Sequence, residues 1–199
     1  MEMGSQAGTP GTFVMPAARS YAYNGPSAPP IAVLEVSDAP VPETKVNYST
    51  VSMDPDYKGE ETGVVWGTKV RYLSAEERKA YELNIDEAGL LRDAAGNLFD
   101  TRGAGTVTGK GKAIFVMSPD GKIYASLHQQ AGIFYHSSFL AGTPVAAAGK
   151  LEVIEGLVTT ASNRSGHYTP DQSYTFQFVE QLWRRGKGTE NINVVDFDH

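Results

Sequence analysis

Residues 112–126, KAIFVMSPDGKIYAS, decide the fold class of this sequence. Two apolar runs flank the tetrapeptide SPDG, in which proline and glycine supply the backbone dihedral angles of a tight turn. This pattern predicts a β-hairpin. A second hairpin is predicted for KLEVIEGLVTTASN, residues 150–163, because apolar and polar residues alternate around a central glycine.

Further segments have the composition of strands, since they are rich in β-branched and aromatic residues. They are VVWGTKVRYL (64–73), GLLRDAAGNLFDT (89–101, two short strands around a turn), GIFYHSSF (132–139) and INVVDFD (192–198). IAVLEV, residues 31–36, is a candidate for an additional edge strand.

Two helices are predicted from capping signals. The first begins at Ser74, which forms a capping box with Glu77, and ends near Leu83. The second begins in the sequence TPDQ at residues 169–172 and ends at Gly186.

In that second segment Thr169 is the predicted N-cap, Pro170 takes the first helical position and Gln172 completes a capping box. Its apolar residues three and four positions apart predict one core-facing side, formed by Phe176, Val179 and Trp183. Strands outnumber helices and do not alternate regularly with them, so the predicted class is α+β and β-rich with few helices.

The composition predicts one folded domain with a tail. Residues 1–45 hold seven of the eleven prolines, so they are expected to be extended or disordered, and residues 46–199 are expected to form the domain. The net charge of −6 argues against nucleic acid as a partner, and no apolar run reaches the ~20 residues that span a bilayer. Cysteine is absent, and the four histidines show no metal-binding spacing.

The stretch FYHSSFLAGTPVAAAG, residues 134–149, admits a catalytic triad, the edge of a ligand pocket or plain packing. On a strand, His136 and Ser137 point to opposite faces, and no GxSxG elbow is present, so a serine hydrolase is disfavoured. The glycine-rich residues 103–112 lack P-loop spacing and are expected to be a loop. The hypothesis of a ligand pocket stays open. This stretch, NRSGHYTP (163–170) and Arg71 would line that pocket.

Four segments carry a resemblance to a known family: VRYLSAEERKAYEL, KAIFVMSPDGKIYAS, FYHSSFLAGTPVAAAGKLEV and NRSGHYTP. Together they resemble the XopAI-like type III effectors of plant-pathogenic bacteria, which are related to arginine-type mono-ADP-ribosyltransferases. The resemblance covers roughly residues 64–186. It implies a β-rich, ADP-ribosyltransferase-like fold.

The resemblance also implies site residues. Arg71 matches the early-strand arginine that contacts the phosphate of NAD, and Ser137 or Ser138 stands where a Ser-x-Ser motif orients the nicotinamide ribose. Arg71 and the two serines are therefore candidate catalytic residues, and His136 and His167 join Arg71 and Ser137 as candidate NAD-binding residues. The Glu-x-Glu motif of the family is absent, so the protein is expected either to transfer ADP-ribose from NAD or to derive from such enzymes with an altered NAD pocket.

The implied function is ADP-ribosyl transfer from NAD to a host protein, after delivery into the host cell by a type III system. The alternative is a non-catalytic binding module whose cleft holds a peptide or an arginine side chain. The tail peptide around Arg19 is the candidate occupant, because it is the only arginine before Arg71.

Overall fold

The computed structural model describes residues 11–12, 46–106, 109–185 and 191–197. Its strands are β1 (Gly11–Thr12), β2 (Glu82–Ile85), β3 (Leu91–Arg92), β4 (Gly105–Thr106), β5 (Gly109–Lys110), β6 (Ala113–Met117), β7 (Ile123–Ser126), β8 (Ala147–Ile154), β9 (Leu157–Ser162) and β10 (Asn193–Val195). The α-helices are α1 (His136–Phe139) and α2 (Gln172–Arg185), and 3₁₀ turns lie at Pro55–Tyr57, Glu60–Thr62 and Glu77–Tyr81.

One sheet organises the molecule. Its strand order is β1-β10-β9-β8-β6-β7-β2-β3, while β4 and β5 form a separate pair. The strands pair antiparallel except β9 and β10, which are parallel, so the sheet is mixed. The predicted α+β, β-rich class with few helices is confirmed.

The predicted hairpins form. In the first, β6 and β7 pair from Ile114 with Ser126 to Met117 with Ile123, and Gly121 takes the positive φ of 82° that the turn requires. In the second, β8 and β9 pair on either side of Gly156, whose φ is 84°. The predicted short strands of residues 89–101 are β3 and a bridge between Arg92 and Leu98.

Helix α2 covers one face of the sheet, but with a different side than predicted. Phe178 and Leu182 are fully buried, and the ring centroid of Phe178 lies 4.6 Å from that of Phe115 on β6. Of the three residues predicted to face the core, Val179 is 9% exposed and does so, whereas Phe176 and Trp183 are 36% and 57% exposed.

The inward side of α2 was missed because it contains polar residues. Thr175 and Gln181 are both buried. The side chain of Gln181 accepts a hydrogen bond from the Tyr48 hydroxyl at 2.9 Å and donates one to the carbonyl of Gly121 at 2.9 Å. Satisfied amides can replace apolar contacts in a core, so apolar spacing alone gave the wrong side.

The start of α2 also differs from its prediction. The helix begins at Gln172, and the carboxylate of Asp171 accepts a hydrogen bond from the Ser173 N–H at 2.8 Å. Thr169, predicted as the N-cap, has a φ of +38°, which is not the extended backbone of an N-cap residue. Gly186, the predicted end, lies outside the described residues.

The first predicted capping box is present. The Glu77 N–H donates to the Ser74 hydroxyl at 3.2 Å, and the Ser74 N–H donates to the Glu77 carboxylate at 2.8 Å. The helix itself is a 3₁₀ turn at Glu77–Tyr81 that runs directly into β2.

Two predicted strands are wrong. Residues 64–73 form turns and irregular backbone, because Gly63 and Gly67 both adopt positive φ and fold the chain back. Residues 136–139 form α1, because Tyr135 and Ser138 make a reciprocal capping box in which the Ser138 hydroxyl accepts the Tyr135 N–H at 3.0 Å. Apart from Gly11–Thr12, the predicted tail of residues 1–45, with the candidate strand at 31–36 and Arg19, lies outside the described residues.

The sheet separates two apolar clusters. The cluster under α2 includes Phe115, Leu151 and Phe178, and the cluster on the other face includes Ile114, Phe139 and Tyr168. Helix α1 and the loop 163–169 lie on this second side, where the predicted site residues are concentrated.

A glycine at position 149 allows β8 and β9 to approach closely. A Cβ atom built on Gly149 would lie 1.7 Å from the carbonyl oxygen of Ser162, which is backbone and cannot rotate away. We expect Gly149→Ala to lower the free energy of unfolding by about 3 kcal/mol or more, measured by urea denaturation. The matched control is Gly103→Ala, because a Cβ there meets nothing within 4 Å. Equal stability of the two variants would contradict this account of the strand contact.

Candidate functional site

The carboxylate of Glu60 is a buried charge at which three chain segments meet. Glu60 lies in a 3₁₀ turn of the segment before β2 and is 0% exposed. The Nε2 atom of His167 and the indole Nε1 of Trp66 lie 2.9 and 3.1 Å from one carboxylate oxygen, and the Tyr72 hydroxyl lies 3.3 Å from the other. The carboxylate therefore links the loop 163–169 to the segment 57–72, and the third segment is α1, from which Ser137 faces the carboxylate.

The surroundings of Glu60 keep it ionised. Burial by itself raises the pKa of the carboxyl group, but polar contacts with His167, Ser137 and Trp66 outweigh burial and hold the pKa below its ordinary value. An ionised carboxylate only accepts hydrogen bonds, so the His167 Nε2 carries the donated proton. Ser137 faces the same carboxylate from α1, although its hydroxyl does not reach standard hydrogen-bond geometry.

Aromatic rings enclose His167 on both sides. The ring centroids of Tyr57 and Tyr135 lie 4.2 and 4.6 Å from that of His167, and Trp66 lies 5.8 Å from Tyr135. We call Glu60, His167, Tyr57, Trp66 and Tyr135 the Glu60 cluster. Because the rings touch one another, the cluster is filled by its own side chains.

The structure brings some predicted residues together and separates others. Ser137 and His167 meet at Glu60, whereas the guanidinium group of Arg71 is exposed and forms an ion pair with Glu77 at 2.7 Å. The side chains of Ser137 and Ser138 are fully buried, so they do not line an open cleft with Arg71. Binding of NAD by these residues stays a prediction.

His136, the first residue of α1, contacts β8. Its Nε2 atom lies 2.9 Å from the carbonyl oxygen of Gly149, which can only accept, so Nε2 is the protonated ring nitrogen. Burial, with a smaller contribution from Lys150, lowers the pKa of His136 to about 3. The imidazole is therefore neutral near pH 7 and fixes α1 against β8.

Beside His136 lies a group of basic side chains around Lys150, a residue that the sequence analysis did not single out. We call it the cationic pocket, and it lies where β8, β9 and β10 run side by side. The lining used below comprises Lys112, Lys150, Glu152, Ser162, Arg164 and Phe197.

Lys150 is the most buried of the three cations of the cationic pocket. It is 4% exposed, and its Nζ atom donates to the side-chain oxygen of Gln129 at 2.6 Å. Burial lowers the pKa of Lys150 to about 8, and the charges of Arg164 and Lys112 contribute in the same direction. Within the described part of the chain, Lys150 forms no ion pair with a carboxylate.

The two other cations of the pocket have different surroundings. Lys112 forms an ion pair with Glu152 at 3.1 Å. Arg164 is exposed, and its guanidinium carbon lies 5.0 Å from the ring centroid of Phe197. Among the residues that the structure describes, Arg164 has no carboxylate partner.

Sequence reasoning missed Glu60 and Lys150, although both are charged residues in informative places. Glu60 precedes an aromatic segment and gave no motif. Lys150 interrupts the run VAAAGKLEV, and a lysine within a central strand is a signal of a buried cation. In the described residues no group of acidic or histidine side chains is suited to hold a metal ion. No described helix is long and apolar enough to cross a membrane.

Comparisons with known proteins relate the centre of this chain to a plant family. Residues 77–175, just under half of the chain, match the family model of the IQ motif-containing protein middle domain. No solved structure matches the chain at a significant level.

Individual relatives agree with the family model. The chain is 38% identical to the IQ domain-containing protein IQM3 of Arabidopsis thaliana over 125 residues, which are 63% of this chain and 26% of that protein. It is 34% identical to IQM5 over 131 residues and 31% identical to IQM1 over 123 residues, both from the same plant; these cover 65% and 62% of this chain and 25% and 24% of those proteins. The chain thus spans about a quarter of the length of these curated relatives.

The comparisons correct the predicted family. The prediction of a XopAI-like effector is wrong, because the matches are to plant IQM proteins. Most of the stretches that carried the resemblance, including residues 112–126 and 134–153, lie within the region matched by the IQM middle domain. The predicted transfer of ADP-ribose to a host protein, the role in virulence and the delivery by a type III system are wrong for the same reason. The alternative, an arginine or tail peptide held in a cleft, gains no specific support.

The Glu60 cluster yields a prediction about stability. Because the folded-state pKa of Glu60 is lower than the unfolded value of 4.5, its ionised form stabilises the fold above pH 4.5, and this contribution is lost as the pH falls through the folded-state value. We expect Glu60→Gln to lower the free energy of unfolding by about 2–3 kcal/mol at pH 7. The difference in the free energy of unfolding between Glu60→Gln and wild type should become smaller below pH 4.5.

Chemical denaturation at pH 3, 4, 5 and 7 measures this effect. Glu61→Gln is the matched control, because the neighbouring side chain is exposed. A Glu60→Gln variant as stable as wild type at pH 7 would show that the carboxylate does not hold the three segments together.

Proposed function

We propose that this chain is a ligand-binding domain of the IQM middle-domain type and that the cationic pocket holds a small anionic group. The observation that carries the proposal is the ammonium group of Lys150, which is nearly removed from water and has a neutral amide as its polar partner. Buried charges in proteins are normally paired or bound to an ion of opposite charge.

The energetics favour an anion in the pocket. Lys150 lies close enough to Arg164 and Lys112 for their charges to lower its pKa further, so the three cations repel one another. A bound anion offsets both this repulsion and the loss of hydration of the ammonium group. Glu152 compensates Lys112 by an ion pair, and it leaves Lys150 and Arg164 for a ligand.

The size and position of the pocket favour binding of an anionic group at the end of a ligand. The cavity has a volume of about 20 Å³, which is room for about one or two water molecules, so only the tip of an anionic ligand enters it from the open side. Lys112, Lys150 and Arg164 all lie within residues 77–175, the region that matches the IQM middle domain. Glu60, by contrast, lies outside that region.

Calorimetric titration with small anions tests the proposal. Inorganic phosphate, sulfate and acetate are titrated at constant ionic strength, and we expect at least one to bind the wild-type protein. Lys150→Met should lower the affinity at least tenfold, because methionine keeps the length and packing of the lysine stem without its charge.

Lys79→Gln is the control for general charge effects, since Lys79 is exposed and pairs with Glu76 on the surface. Its affinity should match wild type. If none of the three anions binds wild type, or if Lys150→Met binds as tightly as wild type, the proposed function is wrong.

The buried ammonium also predicts how stability depends on pH. The folded state gives up the Lys150 proton near pH 8, whereas the unfolded chain does so near 10.5. At Lys150 the unfolded state therefore binds more protons in this interval, so the contribution of Lys150 to the free energy of unfolding should rise between pH 8 and 10.5. Tyrosines with raised pKa values titrate in both variants, so the free energy of unfolding of Lys79→Gln, measured by denaturation, should rise relative to that of Lys150→Met over this interval. The same slope in both variants would contradict the burial of a charged Lys150.

A further inference from the structure

We infer that the group bound in the cationic pocket is the dianionic phosphate of a small phosphate monoester. This inference rests on the proposed function and names the ligand class of the same site. Its basis is the charge balance of the pocket, in which Lys112 is paired with Glu152, while Lys150 and Arg164 are not paired with carboxylates among the described residues.

Two cations without a carboxylate partner among the described residues match a ligand with two negative charges. A single carboxylate carries one negative charge, and so does a sulfate ester. A phosphate monoester carries about −1.5 to −2 at pH 7 and has three strong acceptor oxygens. Among the common single-group anions of metabolites, the phosphate monoester is therefore the one that balances both cations.

The donors of the pocket also suit a tetrahedral group. The Lys150 ammonium offers three donors on a flexible stem, one of which is used by Gln129. The Arg164 guanidinium is a planar fork that binds two phosphate oxygens at once. The Lys150 ammonium is buried and the Arg164 guanidinium is at the surface, so the two donors hold the phosphate oxygens from two sides.

The alcohol part of the bound ester extends out of the pocket through its open side. Arg164 is exposed there and lies over the ring of Phe197. A substituent on the fourth oxygen can extend along this ring toward water, whereas the inner side is closed by the buried side chains of Lys150 and Ser162. Free phosphate shares the same chemistry, so the two sources are compared directly in the test.

The charges that face the site give phosphate binding a characteristic pH profile. Lys112, Arg164 and Glu152 surround Lys150, and His136 on α1 is neutral near pH 7. Affinity should fall above pH 8 as Lys150 loses its proton, and below about pH 6 as the phosphate gains its second proton. A maximum between these limits is expected for a phosphate monoester.

Isothermal titration of the full chain with four probes tests the inference: methyl phosphate, dimethyl phosphate, acetate and inorganic phosphate. Methyl phosphate should bind at least tenfold more tightly than dimethyl phosphate and acetate, which carry one charge. It should bind at least as tightly as inorganic phosphate, and only the two dianions should lose affinity below pH 6.

Three variants localise the effect. Arg164→Gln and Lys150→Met should each lower the affinity for methyl phosphate at least fivefold. Lys112→Gln should lower this affinity less, because Lys112 is already paired with Glu152. Arg184→Gln is the control for arginine, since this residue pairs with Glu180 on the surface of α2. Far-ultraviolet circular dichroism and the thermal midpoint verify that each variant is folded.

The outcomes separate the two proposals. If acetate and dimethyl phosphate bind as tightly as methyl phosphate, and Lys150→Met abolishes all binding, the anion site stands and the phosphate inference is overturned. Tighter binding of inorganic phosphate than of the ester would overturn the inference of an ester. If no probe binds, the proposed function fails as well.

Discussion

The close approach of β8 to β9 at Gly149 is the constraint on which the rest of the site depends. No side chain fits between Gly149 and the carbonyl of Ser162, and the Gly149 carbonyl in turn accepts the proton of His136. This contact docks α1 against the sheet. The next residue of the helix, Ser137, then faces Glu60, and the next residue of the strand, Lys150, enters the cationic pocket.

Two buried charges on either side of α1 have opposite surroundings. Glu60 is contacted by an imidazole, an indole and a phenol, so its charge is stabilised by the protein and holds three segments in place. Among the described residues, the polar partner of the Lys150 ammonium is an amide oxygen, and other cations flank it. A charge that the protein stabilises fully has a structural role, whereas one without a carboxylate partner is suited to bind a ligand. This difference is the reason for proposing recognition at Lys150 and a structural role for Glu60.

Sequence reasoning succeeded where local chemistry decides and failed where tertiary contacts decide. The hairpin at residues 112–126 and the Ser74–Glu77 capping box follow from turn and capping rules, which act over a few residues. Residues 64–73 were misread as a strand, because glycine turns and long-range hydrogen bonds to the carbonyls of Ile133 and Ser138 shape them. His136, Ser137 and His167 lie beside Glu60 or Lys150, and their predicted part in NAD binding stays a prediction. Glu60 was not found, because no local sequence pattern marks the burial of its charge. Short motifs also pointed to the wrong family, because several of them lie in the region that matches the IQM middle domain.

The protonation of the Lys150 ammonium is the most direct measurement of the central claim. Nuclear magnetic resonance of the Lys150 side chain, assigned by comparison with Lys150→Met, gives its pKa with and without saturating phosphate. The account predicts a pKa of about 8 in the free protein and an upward shift when the anion is bound. An ordinary value near 10.5 that does not change with phosphate would contradict it.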